Sequence, residues 1–393
     1  MREFKLAKGW KIFIWLFSPL LIGLFAWLLI MPFVPGFENE SPNNSHWFLM
    51  PLWLLMIGFF VFGLLEVSKA KFVIDTDRIY SVSALSTREL KFNEISGYRI
   101  ADKYIIVEPN VAGKKRIKIS TYLSNTAEIC DWLAEKYPDL DVQAGDEERE
   151  EILSSDDYGF TLEEREQKLL AARRISKVIN ITAGITGLWL IFYPKPYFYL
   201  VIAAVAIPLV SLQVIKSFRG LIRVDERKDS AYPSLFWSIL ICSMSLVLRS
   251  VLDFNIYEYS NAWMLALTVS VIYLGVLLVR NKEFEFRSKS EIFTFVGVVL
   301  FIMSYSYGSV VTLNCLLDQS SPEAYSAEVK GKRVSSGKST MYYLQLSRWG
   351  KQTEADEVTV SKEMYDATEI SDPVTVYLMQ GRFEIPWYEI TTK

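Results

Sequence analysis

The sequence has little of the chemistry that enzymes and metalloproteins use most often. It contains one histidine, His46, and three widely spaced cysteines, Cys130, Cys242 and Cys315, with no CxxC pair. Zinc sites need clustered His and Cys ligands, and a Ser-His-Asp triad needs a well-placed histidine, so both are close to excluded. The net charge is −3, which provides no basic field for nucleic acid. We expect no cofactor, no metal and no nucleic-acid partner.

The chain also lacks a complete phosphate-binding loop. Gly337-Lys338-Ser339-Thr340 matches the end of a Walker A motif, but Lys332 stands where that motif needs its first glycine. The strand-like MYYLQLS follows, whereas phosphate binding needs a helix N-terminus. We interpret this motif as a hairpin turn. No other segment combines catalytic residue types, and we assign no catalytic residue.

What the sequence has in abundance is apolar residues, 51% of the chain, arranged in long uncharged blocks. A helical crossing needs about 20 apolar residues. This criterion predicts seven spans: Ile12–Phe33, Trp47–Leu65, Ile175–Tyr193, Tyr197–Ile215, Leu235–Leu252, Ala262–Val279 and Ile292–Leu313. The first run ends MPFVPGF without a small-residue cleavage site, which favours a retained span over a signal peptide.

The charges between the spans predict their orientation. Lysine and arginine are concentrated in the N-terminal MREFKLAKGWK, in KSFRGLIRVDERKDS and in RNKEFEFRSKSE, whereas FENESPNNSH and DFNIYEYSN are acidic. Because basic loops stay in the cytoplasm, we expect a multi-pass membrane protein with a cytoplasmic N-terminus. Seven spans then place the C-terminus outside the cytoplasm.

A strand-rich insert follows the second span. Short runs rich in Val, Ile, Tyr and Phe alternate with turn residues, which predicts six strands: Lys71–Thr76, Arg78–Val82, Glu89–Phe92, Tyr98–Ile100, Tyr104–Glu108 and Arg116–Ser120. NTAEICDWLAEKYPDL then predicts one helix with Ile129, Trp132 and Leu133 on a single face, stopped by Pro138.

The segments VIDTDRIY, REL with FNEISGY, KKRIKIS and EICDWLAEKYPDL together resemble the bacterial pleckstrin-homology-like (PH-like) domain. The whole chain resembles uncharacterised bacterial integral membrane proteins in which such a module lies between hydrophobic segments. This resemblance implies a β-barrel capped by a C-terminal helix. It also implies a location in the bacterial inner (cytoplasmic) membrane, and it implies no defined activity or ligand.

The predicted fold is therefore a polytopic α-helical membrane protein of about seven spans with a cytoplasmic PH-like insert and a C-terminal extracytoplasmic β-rich domain. The acidic residues 141–159 lack apolar periodicity, which favours a solvated linker, and Thr161 with Glu164 forms a capping-box pattern. The predicted segments are an N-terminal transmembrane hairpin (1–65), the PH-like domain (66–140), an acidic linker with a juxtamembrane helix (141–174), a five-span region (175–314) and the β-rich domain (315–393).

Two basic clusters are candidate contacts with anionic lipid or with an acidic partner: Lys114, Lys115, Arg116 and Lys118 in the insert, and Arg173 and Arg174 before the third span. Each has a structural alternative. The first is also typical of a solvated sheet edge protected by lysines, and the second of a positive-inside topology signal.

The fifth span contains one stripe of small or polar residues: Ser234, Ser238, Cys242, Ser245, Arg249 and Asp253. Such a stripe favours close helix packing, with Arg249 and Asp253 as an ion pair near the outer interface. A polar substrate path is the alternative. The expected function is a non-enzymatic scaffold or sensor that contacts membrane lipids and a protein partner, and the competing class is a transporter or membrane enzyme that uses this stripe.

Overall fold

A computed structural model describes residues 1–34, 45–279, 283–284, 286, 289–336, 340–350, 352 and 356–392. The chain divides into two compact units, Met1–Glu147 and Glu148–Lys393, and each is described by itself.

The first unit begins with a strand that precedes its membrane helices. β1 (Arg2–Lys5) leads into α1 (Lys8–Ile30) and α2 (Ser45–Lys69), after which β2 (Lys71–Ile74) pairs antiparallel with β1. The helical hairpin is therefore an insertion between two neighbouring strands. The predicted boundary at residue 66 is wrong, because the β domain includes β1.

Five more strands complete this β domain: β3 (Arg78–Val82), β4 (Thr87–Lys91), β5 (Ile95–Ala101), β6 (Tyr104–Pro109) and β7 (Ile117–Ser120). They form a four-stranded sheet in the order β1-β2-β3-β4 and a three-stranded sheet in the order β5-β6-β7. α3 (Thr126–Lys136) ends before Pro138, and it buries the predicted Ile129, Trp132 and Leu133 against the β core. The helical spacing of these apolar residues predicted the buried face correctly, because one face of the helix is apolar.

The contribution of β1 can be measured on a soluble form of the β domain. Lys5 pairs with Lys71, so residues 1–7 can be joined to residues 70–140 by a short flexible linker. Phe4 is buried and lies 6.2 Å from the ring of Phe72. We expect Phe4→Ala to lower the free energy of unfolding by about 3–5 kcal/mol in a urea titration. Lys5→Ala, on the exposed face of the same strand, is the control, and equal midpoints for the two variants would contradict this packing.

The acidic stretch 141–159 is not the solvated linker that its composition suggested. α4 covers Leu140–Ser154, and Ile152 and Tyr158 are buried in the core of the second unit. Two isolated apolar residues are too few to produce a periodic signal, which is why the sequence did not show this packing. The predicted capping box is confirmed: Thr161 and Glu164 cap α5 (Leu162–Phe192).

The second unit contains four further long helices: α6 (Tyr197–Ser217), α7 (Phe236–Leu252), α8 (Ser260–Leu278) and α9 (Lys289–Leu316). Within the described residues, six helices are long and apolar enough to cross a membrane, namely α1, α2, α5, α6, α8 and α9. They indicate a multi-pass membrane protein. The remaining predicted span, the fifth (Leu235–Leu252), corresponds to α7, which is apolar but has only 17 residues.

The β-rich part of the second unit is a nearly closed, barrel-like sheet of six strands. The strands are β8 (Asn255–Ile256), β9 (Glu323–Ser336), β10 (Thr340–Leu346), β11 (Asp356–Val360), β12 (Pro373–Met379) and β13 (Trp387–Thr392), in the order β11-β10-β9-β12-β13-β8. The short helix α10 (Lys362–Ala367) lies between β11 and β12. β8 comes from the connection between α7 and α8, so the predicted domain 315–393 lacks one of its strands.

The Walker-like motif falls between two antiparallel strands. Residues 337–339 lie outside the described residues, and on either side of them Ser336 of β9 pairs with Thr340 of β10.

Candidate functional site

A cleft of about 250 Å³ opens in the first unit beside the last turn of α2. Its charged lining residues are Lys71, Arg88, Lys118 and Glu66, and Tyr104 also contributes. We call it the hairpin cleft. Strand alternation explains its polarity: in β7, Lys118 is exposed between the buried Ile117 and Ile119.

Two hydrogen bonds hold the turn between β3 and β4 against α2. The Glu66 carboxylate accepts them from the Ser83 hydroxyl at 3.1 Å and from the Ala84 backbone N–H at 2.6 Å. Leu85 lies at the tip of this turn with 82% of its surface exposed. An exposed leucine is therefore fixed at the level of the end of α2.

Aromatic residues lie at the same end of the β domain. Trp10, in the first turns of α1, contacts Tyr122, which follows β7, with ring centroids 4.8 Å apart. Both side chains are exposed over 40% or more of their surface.

The structure divides the predicted basic cluster of the insert. Lys118 lines the hairpin cleft, with its ammonium 5.8 Å from the Tyr104 ring centroid. Lys114 and Lys115 lie on the turn after β6, at the other end of the strand. β6 has six residues, Tyr104–Pro109, and extends roughly 16 Å from its first to its last residue at 3.3 Å per residue, with Lys118 paired to Ile106.

The residues on the distant turn also have partners of their own. The Lys114 ammonium lies 2.6 Å from a Glu94 carboxylate oxygen, and this hydrogen bond lowers the pKa of Glu94. Arg116 lies 3.7 Å from Glu108. The cleft residues Lys71 and Arg88 were not predicted, because they belong to strands far from Lys118 in sequence.

The second predicted cluster lies on α5. The Arg173 guanidinium donates to the backbone carbonyl of Ala231 at 3.2 Å, and Arg174 is exposed. Arg173 therefore supports the connection between α6 and α7.

This connection is ordered by two carboxylates. Glu148 accepts a hydrogen bond from the Ala231 backbone N–H at 3.0 Å, and Glu283 accepts from the backbone N–H groups of Val224 and Asp225 at 2.8 and 2.7 Å. Burial raises the pKa of Glu283, although the two backbone donors act in the opposite direction. These contacts make the α6–α7 connection a folded cap on the helices.

The predicted ion pair in α7 is present and belongs to a larger network. The Arg249 guanidinium donates to Asp253 at 3.2 Å and to the backbone carbonyls of Leu190 and Ile191 at 2.8 and 2.6 Å. Asp253 also accepts from the Tyr197 hydroxyl at 2.8 Å. Arg249 thus satisfies two carbonyls at the C-terminal end of α5, which have no partner within that helix.

The start of α7 is hydrogen-bonded to α5. Asn180 of α5 donates to the Ser234 carbonyl at 2.9 Å and accepts from the Ser238 backbone N–H at 3.0 Å. The Ser238 hydroxyl lies 2.9 Å from that of Ser211 in α6. α7 therefore runs alongside α5 from Asn180 to Leu190. The predicted polar stripe lies largely against neighbouring helices, since Ser238, Cys242 and Ser245 are buried.

The barrel-like sheet is joined to the helices at several points. β8 pairs with β13, where Ile256 faces Trp387. Asn314, near the end of α9, donates to the Ile385 carbonyl at 2.9 Å and accepts from the Phe383 backbone N–H at 2.8 Å. These bonds attach the segment between β12 and β13 directly to a long helix.

Asp318 extends this attachment. Its carboxylate accepts hydrogen bonds from the Trp387 indole at 2.8 Å and from the Gly381 backbone N–H at 2.9 Å. Burial alone would raise the pKa of this carboxyl, but its hydrogen-bond donors hold the pKa below its usual range. The side chain is therefore a charged acceptor at neutral pH.

Among the described residues, no group of three or more His, Cys, Asp or Glu side chains is placed to hold a metal ion. The fold and these contacts define the class: a multi-pass helical membrane protein with a β module on its N-terminal hairpin and a barrel-like sheet built onto its other helices. Comparisons with protein-family models, curated proteins and solved structures gave no match for this chain.

Proposed function

We propose that this chain is a non-enzymatic scaffold or sensor of the bacterial inner membrane, linking a cytoplasmic β module to an extracytoplasmic β domain. One observation carries the proposal: the α7–α8 connection supplies a strand, β8, to the C-terminal sheet. Together with Asn314 and Asp318, this pairing fixes the β domain to three helices. A partner that binds the β domain would therefore act on the helices directly.

We further propose seven spans, with the N-terminus in the cytoplasm and the C-terminus outside. This proposal is supported by the hydrogen bonds that join both ends of α7 to α5, at Asn180 and at Leu190, so that α7 lies alongside α5 between these residues. Its 17 residues extend about 25 Å at 1.5 Å per residue, slightly less than the hydrocarbon core. Arg249 lies at the outer end of α7, and its charge is tolerated there because its N–H groups donate to Asp253 and to two backbone carbonyls of α5.

The proposed fold of the N-terminal module is PH-like. Its sheets of four and three strands, followed by α3, agree with the barrel and C-terminal helix that the resemblance implies. Its proposed partners are membrane lipids and a protein, with no nucleic acid. The alternative of a transporter or membrane enzyme has less support, since Arg249 and Asp253 are engaged in bonds between helix ends.

The topology is tested with single cysteines in a variant without the natural ones. We expect an impermeant maleimide applied to intact spheroplasts to label Glu258→Cys and Asp366→Cys but not Glu135→Cys or Lys228→Cys. Positions 228 and 258 flank α7, so they report on that helix alone. The same outcome at both positions, labelled or unlabelled, would show that α7 does not cross, and labelling of Glu135→Cys would overturn the orientation. Labelling after lysis is the control for reactivity.

The scaffold proposal is tested by cross-linking in native membranes and affinity purification. We expect a reproducible protein partner that is lost when Gly381→Ala detaches the β domain, because a Cβ at Gly381 would lie 2.3 Å from the Asn314 side chain. Gly331→Ala, in β9, is the control, since its nearest neighbour is the flexible end of Gln345 at 3.0 Å. Solute flux through the purified protein in liposomes would favour the transporter instead.

A further inference from the structure

We infer that the N-terminal β module lies on the membrane surface with Leu85 inserted in the interfacial layer and the head-group phosphate of an anionic phospholipid in the hairpin cleft. This inference rests on the proposed function in one respect, that α1 and α2 cross the membrane.

The chain connectivity sets the depth of the cleft. β1 continues into α1 after two residues, and α2 is separated from β2 by Ala70 alone. The apolar part of α2 ends at Leu65, so Glu66 falls at the boundary of the hydrocarbon core. The polar interface is roughly 5–8 Å thick on each side of a bilayer. Groups that are hydrogen-bonded to Glu66 therefore lie within it.

Leu85 is held at this depth. Its neighbour Ala84 donates to Glu66 at 2.6 Å, and the leucine side chain is 82% exposed. An isolated surface leucine needs no explanation by itself. Here its turn is tied to the end of a membrane helix, and Trp10 and Tyr122 lie at the same end of the module. Aromatic residues at this depth are typical of a membrane interface.

The charge of the cleft selects the lipid. The lining residues include three cations, Lys71, Arg88 and Lys118, and one carboxylate, that of Glu66. The Lys71 ammonium is also paired with Glu3 at 3.2 Å. Glu66 is engaged with Ser83 and Ala84, so its charge is partly compensated by donors. Arg88 and Lys118 supply the positive charge that fits a phosphate, and the cytoplasmic leaflet is rich in anionic phospholipids.

The cluster Lys114–Lys115 does not take part. Neither lysine lines the cleft, and the Lys114 ammonium is paired with the Glu94 carboxylate at 2.6 Å. This pair therefore offers a control with the same change in charge.

The test uses the full chain in nanodiscs, with an environment-sensitive fluorophore on a single cysteine. In a background of Cys130→Ala, Cys242→Ala and Cys315→Ala, we expect the probe at Leu85→Cys to shift to the blue and to be quenched by spin-labelled phospholipid. The matched probe at Val111→Cys, an exposed residue on the distant turn, should stay in water. Equal and weak quenching at both positions would overturn the insertion of Leu85.

The lipid preference is measured by titrating spin-labelled phosphatidylglycerol into phosphatidylcholine discs that contain the Leu85 probe. We expect R88Q/K118Q to raise the mole fraction needed for half-maximal quenching by roughly 30-fold, since each cation near the surface contributes about 1 kcal/mol. K114Q/K115Q should leave it unchanged. Equal effects of the two double variants would overturn the cleft assignment.

Two further experiments complete the test. The first distinguishes an effect of charge from an effect on folding, and the second distinguishes a lipid ligand from free phosphate. R88K/K118R keeps both charges and should keep the preference, so an equal loss in this variant would contradict a charge-based site. Suppression of the phosphatidylglycerol preference by soluble glycerol phosphate would overturn the lipid as the ligand. Both faces of a nanodisc are open to solvent, so these results do not depend on the orientation, which the maleimide experiment tests separately.

Discussion

Gly308→Val is expected to force α7 and α9 apart and to prevent stable assembly of the second unit. A Cβ on Gly308 would lie 2.7 Å from the backbone carbon of Leu246 and 2.7 Å from the backbone nitrogen of Val247. Backbone atoms of a packed helix cannot rotate out of the way, so the helices themselves must move. We expect a loss of about 3 kcal/mol or more, seen as little monodisperse protein after detergent extraction.

Gly297→Val is the matched control in the same helix. A Cβ at Gly297 meets nothing within 4 Å, so this variant introduces the same β-branched residue without a clash. Gly187→Ala should fall between the two. Its closest contact, at 2.4 Å, is the Ile241 Cγ2 methyl group, which can adopt another rotamer. Thermal aggregation of purified protein gives the ranking, and equal stability of the Gly308 and Gly297 variants would contradict the close approach of α7 and α9.

Arg249→Leu is expected to lower membrane abundance more strongly than any other single change in α7. The side chain is only 12% exposed, and its loss leaves Asp253 with the Tyr197 hydroxyl as its remaining partner in the network. The carbonyls of Leu190 and Ile191 lose their donor at the same time. Removal of one member of a buried pair costs about 3–5 kcal/mol.

A double variant distinguishes the cost of the unpaired Asp253 carboxylate from the cost of the two carbonyls that lose their donor. Arg249→Leu with Asp253→Leu removes the unpaired carboxylate and should restore part of the stability. It should not restore all of it, because the two α5 carbonyls still lack a donor. Asp253→Asn keeps an acceptor for Tyr197 and should be the mildest change. Abundance and thermal stability in detergent should thus rank wild type, Asp253→Asn, the double variant and Arg249→Leu in falling order. Equal values for all four proteins would remove the structural role.

This network also explains how the two interpretations of the α7 stripe differ. A path for a polar substrate needs side chains with unused donors or acceptors facing a cavity. Arg249 instead directs its guanidinium to helix carbonyls and to Asp253. The sequence showed the i, i+4 spacing of the pair, but it gave no sign of the carbonyls, which are more than fifty residues away in the chain.

The amino-acid sequence by itself determined the features that depend on local physics. The long apolar runs predicted α1, α2, α5, α6, α8 and α9. Short runs of β-favouring residues between turn residues predicted β2 to β7, and the spacing of Ile129, Trp132 and Leu133 predicted the buried face of α3. Each of these follows from residues within one element, because length, period and capping act between near neighbours.

Only the tertiary structure decided which distant segments meet. β1 pairs with β2 across the whole helical hairpin, and β8 joins a sheet whose next strand begins more than sixty residues later. The hairpin cleft likewise brings together Lys71, Arg88 and Lys118 from three strands. Four residues of β1 and two of β8 are too few for a periodic signal. Their backbone donors and acceptors find partners only after the chain has folded, so no local pattern of residues records these pairings.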